Sequence, residues 1–163
     1  QCLVGSEMCI RDSIYILNVR FAGDIHFSKK VECDVENVRV PSMILQPVVE
    51  NAVNHGIRNI DWEGHIDLSV ERWNDHIEIS VRDNGLGMTG EQIQRVLSKK
   101  VHSSSGEGDS TGIGMNNVIS RLELYYERDG LMEIYSEGEG MGTEVVINIP
   151  LERSEKNVQN PDC

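Results

Sequence analysis

Val81-Arg82-Asp83-Asn84-Gly85-Leu86-Gly87-Met88 is the stretch on which the reading of this chain turns. It closes the alternating run Ile77-Glu78-Ile79-Ser80-Val81, so a strand ends in one acid and two glycines spaced Asp-x-Gly-x-Gly. Asn-Gly between apolar runs is the strongest short hairpin signal, and taken alone Asp83-Asn84-Gly85 reads as a type I′ turn. The residues just downstream argue otherwise. Thr89-Gly90-Glu91-Gln92 fits a capping box, and Ile93, Val96 and Leu97 recur at helical spacing. The order is therefore strand, glycine turn, helix, with no second strand to complete a hairpin. Glycines at such a strand end remove side chains and let backbone approach a flat ligand closely, beside the carboxylate of Asp83.

The composition sets bounds around this stretch. The chain has 163 residues, the size of one ordinary domain with a real core, and 39% of them are hydrophobic. No apolar run approaches the roughly 20 residues that span a bilayer. A formal net charge of −12 argues against nucleic acid as a partner, because neutralising phosphates takes cations. Cys2, Cys9, Cys33 and Cys163 form no Cys-x-x-Cys pair, so neither a zinc site nor a disulfide framework is indicated and reduced thiols are the default. Residues 1–13 lack the features of a signal peptide. They resemble a translated sequencing-adapter tail, which makes them a non-native or disordered leader, with the native chain joined near Ile14.

Upstream of the decisive stretch, Ile14 to Phe21 is too short to assign between helix and strand. Ile25-His26-Phe27 and Val31-Glu32-Cys33 read as extended, broken by Ser28-Lys29-Lys30. Pro41 to Gly56 reads as a helix, with Ser42 as N-cap and Gly56 as C-terminal stop. Leu45, Val48, Val49, Ala52 and Val53 form its apolar stripe, while Pro47 shortens or kinks the first turn. Glu50, Asn51, Asn54 and His55 occupy the other side. Polar helix faces are usually just solvated. Two asparagines and a histidine are poor helix formers for that purpose, however, and a neutral amide oxygen suits one direct contact to Mg²⁺.

Ile66–Val70 and Ile77–Val81 alternate on either side of Asn74-Asp75 and predict a hairpin. Beyond the helix around Glu91–Leu97 the chain becomes rich in Ser and Gly, and a lid over about 98–111 is the better reading of it than a linker. Lys99 and Lys100 could reach phosphates from there, although paired loop lysines are commonly only solvated. Gly112-Ile113-Gly114-Met115-Asn116-Asn117 opens another helix, and glycines before a helix N-terminus make a ready anion site. It is neither the dinucleotide fingerprint nor a Walker A loop. A second hairpin runs from Leu131–Tyr135 through Gly138, Gly140 and Gly142 to Thr143–Ile149. Pro150 stops its last strand, and 151–163 read as a flexible tail.

Taken in order, Glu50-Asn51-Ala52-x-x-His55-Gly56, Asp83-x-Gly85-x-Gly87, Gly112-x-Gly114-x-x-Asn117-Val118-x-x-Arg121-Leu122 and Gly142-Thr143 resemble the N, G1, G2 and G3 boxes of one ATPase domain. That domain is shared by histidine kinases, type II topoisomerases, Hsp90 and MutL. Gln46-Pro47-x-x-Glu50-Asn51-Ala52 and Arg121-Leu122-x-x-Tyr125-Tyr126 are similar to the LytS/YehU-type sensor histidine kinases. The resemblance covers roughly Ile14 to Pro150.

It implies an α/β two-layer sandwich (α+β), a mixed, mostly antiparallel sheet with helices on one face. It implies the cofactors ATP and Mg²⁺. Asp83 would accept a hydrogen bond from the adenine amino group, Thr143 would support the base through water, and Gly85, Gly87 and Met88 would complete that wall. Asn51 would bind Mg²⁺, with Glu50 polarising or positioning near the phosphates. Asn54 and His55 would lie by the phosphates, and Gly112, Ile113, Gly114 and Met115 along the triphosphate. Many relatives carry lysine where this chain has Asn54, so a cationic phosphate contact is missing there, for which Lys99, Lys100 or His55 are the candidate replacements.

The family phosphorylates a histidine in an upstream segment marked Pro-His-Phe, and that motif does not occur here. The implied protein is the catalytic domain of a two-component sensor histidine kinase, cytoplasmic and part of a membrane-bound bacterial sensor. Its partners would be an upstream dimerisation and phosphoacceptor segment and a downstream response regulator. The alternatives are an ATPase of the same superfamily, with Glu50 activating water, and an adenine-nucleotide-binding regulatory module without turnover.

Overall fold

The computed structural model describes residues 7–21, 25–98 and 111–151. Elements follow in the order β1 (Glu7–Cys9), α1 (Ile10–Phe21), β2 (His26–Val31), β3 (Arg39–Pro41) and α2 (Leu45–Asn51), which continues as a π-helical turn over Ala52–Ile57. After these come β4 (His65–Arg72), β5 (His76–Asp83), α3 (Gly90–Leu97), α4 (Thr111–Tyr126), β6 (Met132–Tyr135) and β7 (Thr143–Pro150). The lid expected over about 98–111 lies almost wholly outside the described residues. Among those residues no helix is long and apolar enough to cross a membrane.

Five strands form one sheet in the order β2-β4-β5-β7-β6, and β1 pairs with β3 in a separate two-stranded piece. β2 runs parallel to β4, and every other pairing in the large sheet is antiparallel. This is the expected α+β architecture with a mixed, mostly antiparallel sheet. Both predicted hairpins are present as β4–β5 and β6–β7. Strand alternation explains the core: Ile66, Leu68 and Val70 on β4 are buried with Ile77, Ile79 and Val81 on β5. Val145, Ile147 and Ile149 from β7 join them. Val48 and Val49 of α2, and Met115, Val118 and Leu122 of α4, belong to the same apolar cluster. Each such side chain contributes about 1.5–3 kcal/mol on burial.

Several local expectations are revised. Ile14–Phe21 is helical as part of α1, because Ile10, Ile14 and Leu17 recur at helical spacing and are all buried. Residues 7–13, which read as part of a leader, form β1 and the first turn of α1. β2 runs unbroken through Ser28-Lys29-Lys30. It is an edge strand, where lysines keep the free edge soluble, and Lys30 Nζ donates to Glu71 Oε1 at 3.0 Å. Ser42 is not the cap of α2. The N-cap is Ile44, without a side-chain hydrogen bond, and Pro47 falls in the first turn, where its missing N–H costs little.

Gly56 does not stop the helix either. The chain widens into the π-turn, closed by Arg58 N–H donating to Val53 O at 2.9 Å. The capping box at α3 is present in full, with Gln92 N–H donating to Thr89 Oγ1 and Thr89 N–H to Gln92 Oε1. The Arg121-Leu122-x-x-Tyr125-Tyr126 pattern ties elements together: Arg121 Nη1 donates to Ser42 O at 2.6 Å, Tyr125 Oη donates to the Glu7 carboxylate, and Leu122 is fully buried.

Candidate functional site

Register brings together motif residues far apart in sequence. β5 and β7 are neighbouring strands with Asp83 directly opposite Thr143, both buried at the same end of the sheet. Asp83 Oδ1 accepts the Gly85 N–H at 2.9 Å, and the backbone N–H of Thr143 also favours the charged carboxylate. Burial nevertheless dominates and pushes the Asp83 carboxyl above its usual range, with the two N–H groups opposing it.

The loop after Asp83 is held on three sides. Asn84 ties it to the start of β4 and the residues just before it: Asn84 Nδ2 donates to Glu63 O at 2.8 Å, and Asn84 Oδ1 accepts the His65 N–H at 2.7 Å. Trp62 Nε1 donates to Asn84 O at 2.8 Å. On the helical side, Leu86 N–H donates to Gly56 O at 2.9 Å. On the hairpin side, Gly142 N–H donates to Gly85 O at 3.1 Å and Gly140 N–H to Leu86 O at 2.6 Å. Met88 N–H donates to Ser136 Oγ at 2.9 Å.

The glycines are there for close approach. A Cβ on Gly85 would lie 2.2 Å from the carbonyl carbon and oxygen of Gly56, and one on Gly56 would lie 2.8 Å from Asp83 Oδ1. The glycine predicted to end a helix instead lets that helix press against the carboxylate.

These elements enclose a cavity of about 420 Å³, within the range of about 300–1,000 Å³ that small-molecule sites occupy. Asp83 and Thr143 line it from the sheet, with Gly87 and Met88 from the loop and Asn51 and His55 from the helical wall. Six of the residues predicted for the site thus share one cavity. Gly85 stands behind it as Asp83's partner. Asn54 is exposed, and neither it nor Glu50 lines the cavity. Glu50 Oε1 instead takes Arg20 Nη2 at 2.7 Å and Gln46 Nε2 at 3.1 Å, tying α2 to α1. Met115 is buried in the core, and Gly114 faces Pro47; neither is among the residues lining the cavity. Gly112 and Ile113 lie in the first turn of α4, and the surroundings of both, like Lys99 and Lys100, fall outside what is described.

Sequence reasoning missed one wall of the cavity. Gln92, Arg95 and Val96 line it from α3, and Leu86, Glu139 and Gly140 line it from the two loops. A signal for the α3 residues existed. The capping box fixes where α3 begins, so positions 92, 95 and 96 share a face, and Val96 anchors that face in the core.

Among the described residues no group of three or more His, Cys, Asp or Glu is arranged to hold a metal. The half-buried Asn51 offers a single neutral oxygen on the cavity wall. That donor set suits a cation which takes most of its ligands from water and a bound anion, as Mg²⁺ does, and it does not suit an all-protein cage.

Comparison with known proteins bears on the same region. Residues 40–153 match the sequence profile of the histidine kinase-, DNA gyrase B- and HSP90-like ATPases. The sensor histidine kinase YpdA of Escherichia coli (strain K12) is 32% identical over 152 residues, covering 89% of this chain and 24% of YpdA. The sensor histidine kinase/phosphatase LytS of Staphylococcus aureus (strain MRSA252) is 29% identical over 148 residues, covering 90% of this chain and 24% of LytS. The chain thus spans about a quarter of the length of these relatives. Among solved structures, the catalytic domain of histidine kinase ThkA superposes with a TM-score of 0.63 at 20% identity, covering 89% of this chain and 96% of that one. The mycobacterial sensor histidine kinase MprB gives 0.60 at 19%, with 89% and 96% covered. The profile match takes in the α2 wall, the Asp83 loop and the β6–β7 hairpin that together build the cavity, and the chain belongs to the family of histidine kinase-, DNA gyrase B- and HSP90-like ATPases.

Proposed function

We propose that the cavity binds Mg-ATP and that the chain acts as the catalytic domain of a sensor histidine kinase, donating the γ-phosphate to a histidine on another segment. The observation that carries the reading is Asp83: a buried carboxylate at a cavity floor, held by the Gly85 N–H and closely approached by Gly56. A carboxylate with one oxygen accepting a backbone N–H is an acceptor of fixed direction. It selects a flat ligand with an amino group, as adenine has. Guanine would set a carbonyl oxygen against it and leave two buried acceptors facing each other, at a cost of a few kcal/mol. Asn51 offers an oxygen to Mg²⁺, which when bound neutralises charge on the phosphates. The protein's share of phosphoryl transfer is then positioning and charge stabilisation.

The hydrolase alternative needs Glu50 to activate water. The engagement of Glu50 by Arg20 and Gln46, away from the cavity lining, favours the kinase reading. The proposed parent is a two-component sensor with an upstream phosphoacceptor segment and a response regulator as phosphate acceptor. Calorimetry on Asp83→Asn tests the pocket. The expected result is loss of Mg-ATP binding with the fold retained, whereas unchanged affinity would sink the assignment.

A further inference from the structure

The cavity has an electrostatic problem that Asp83, Asn51 and His55 do not solve. A nucleoside polyphosphate carries several negative charges, the chain's own formal charge is −12, and two carboxylates, Asp83 and Glu139, already line the cavity. Mg²⁺ offsets part of this. Among the described lining residues there is one lysine or arginine, Arg95 of α3.

Its position is built. The capping box of Thr89 and Gln92 fixes the start of α3, and one turn on, Val96 is buried against the core. These two anchors leave Arg95 exposed while lining the cavity. Gln92 shares its face but carries no charge, its amide oxygen accepting the Thr89 N–H at 2.8 Å. Arg95 is therefore the group of this wall whose charge and reach suit an anion. A guanidinium presents a planar fork that meets phosphate oxygens in pairs and stays protonated at any physiological pH.

We infer that Arg95 is the cation that holds the phosphate chain of the nucleotide, an assignment that rests on the proposed nucleotide site. In this chain the positive charge comes from the helix after the glycine turn, and it offsets Glu139 across the same cavity. Arg95 is then a phosphate-binding residue, separate from the base-selecting floor at Asp83.

The test compares ligands that share the base and differ in charge. Affinities for ATP and ADP, each with Mg²⁺, and for adenosine are measured by titration at one ionic strength on the wild-type chain, Arg95→Gln, Arg95→Lys and Asp83→Asn. Arg95→Gln is expected to weaken ATP and ADP by about tenfold or more, the scale of a lost charge-assisted contact. Adenosine should change by less than about twofold, and Arg95→Lys should recover part of the loss because it restores charge without the fork. Equal weakening of adenosine and ATP by Arg95→Gln would overturn the assignment in favour of base stacking, and unchanged ATP affinity would overturn it outright. The Asp83 variant separates the two readings. If Asp83→Asn keeps ATP binding while Arg95→Gln loses it, the adenine assignment fails and the phosphate assignment stands. A wild-type chain that binds no adenine nucleotide refutes both.

Discussion

The floor of the cavity and its helical wall are built by opposite means. At the floor, Asp83, Gly85 and Thr143 are fixed by backbone: strand register sets Asp83 opposite Thr143, and N–H groups hold the carboxylate. At the wall, Asn51 and His55 project from a helix that widens into a π-turn, and side chains set their surroundings, with Glu50 held by Arg20 and Gln46. A backbone-built floor cannot shift without breaking strand pairing. The wall's polar side chains can rearrange at the cost of one surface ion pair, worth about 0–1 kcal/mol, while its backbone stays tied to the floor through Gly56. The base recognition proposed for the floor asks for the first, and the accommodation of metal and phosphates proposed for the wall tolerates the second.

The sharpest way to break this contrast is at Gly85. A Cβ there would fall 2.2 Å from the backbone of Gly56, so nothing flexible can yield. Gly85→Ala is expected to cost about 3 kcal/mol, the upper end of overpacking, read as a drop in the denaturation midpoint. A loss below about 0.5 kcal/mol, the scale of neutral surface changes, would mean that floor and wall are not in rigid contact.

That contact also shows what the sequence could and could not convey. Asp83 and Gly85 stand out because strand alternation and glycine spacing are local signals, whereas Thr143 is picked out only by the family resemblance, and register sets it opposite Asp83. Asn51 and His55 were legible from a helical polar face of unusual composition. Glu50 was harder: its adjacency to Asn51 says nothing about Arg20, which reaches it from α1, a helix whose first turn falls among residues that read as a leader. Ser42 read as a cap because it precedes an apolar run, yet its carbonyl serves Arg121 and the helix starts later. Gly56 read as a stop because glycine after a helix usually is one, whereas here its lack of a side chain admits Asp83. Arg95 went unnoticed because nothing local distinguishes it from a solvated helix charge; only packing turns that face of α3 toward the cavity.

A second, smaller effect probes the wall. If Asn51 acts through Mg²⁺, Asn51→Ala should weaken ATP by about tenfold with the metal present, the scale of one lost contact to a charged group. It should change affinity little when the metal is chelated. Equal losses with and without Mg²⁺, read by calorimetry, would make Asn51 a packing element like Val48 and remove the functional difference between wall and floor.

The smallest effect concerns the stability cost of the floor. Burial raises the Asp83 carboxyl above its ordinary value of 3.8. Below that value the group is protonated in both folded and unfolded chains and contributes nothing that depends on pH. Between 3.8 and the raised folded value the folded chain holds a proton that the unfolded chain has released, so its stability falls as pH rises through that window. Above the window the penalty stays constant, which means the wild-type chain carries it at neutral pH. Asp83→Asn has no such titration. Denaturation measured from acid to neutral pH should therefore show the variant gaining on the wild type as pH rises and then holding its gain, while its nucleotide binding is lost. A wild-type chain that instead gains on the variant across the same window would mean that the N–H groups of Gly85 and Thr143 outweigh burial. The floor would then be a net stabilising element, with no stability given up for its function.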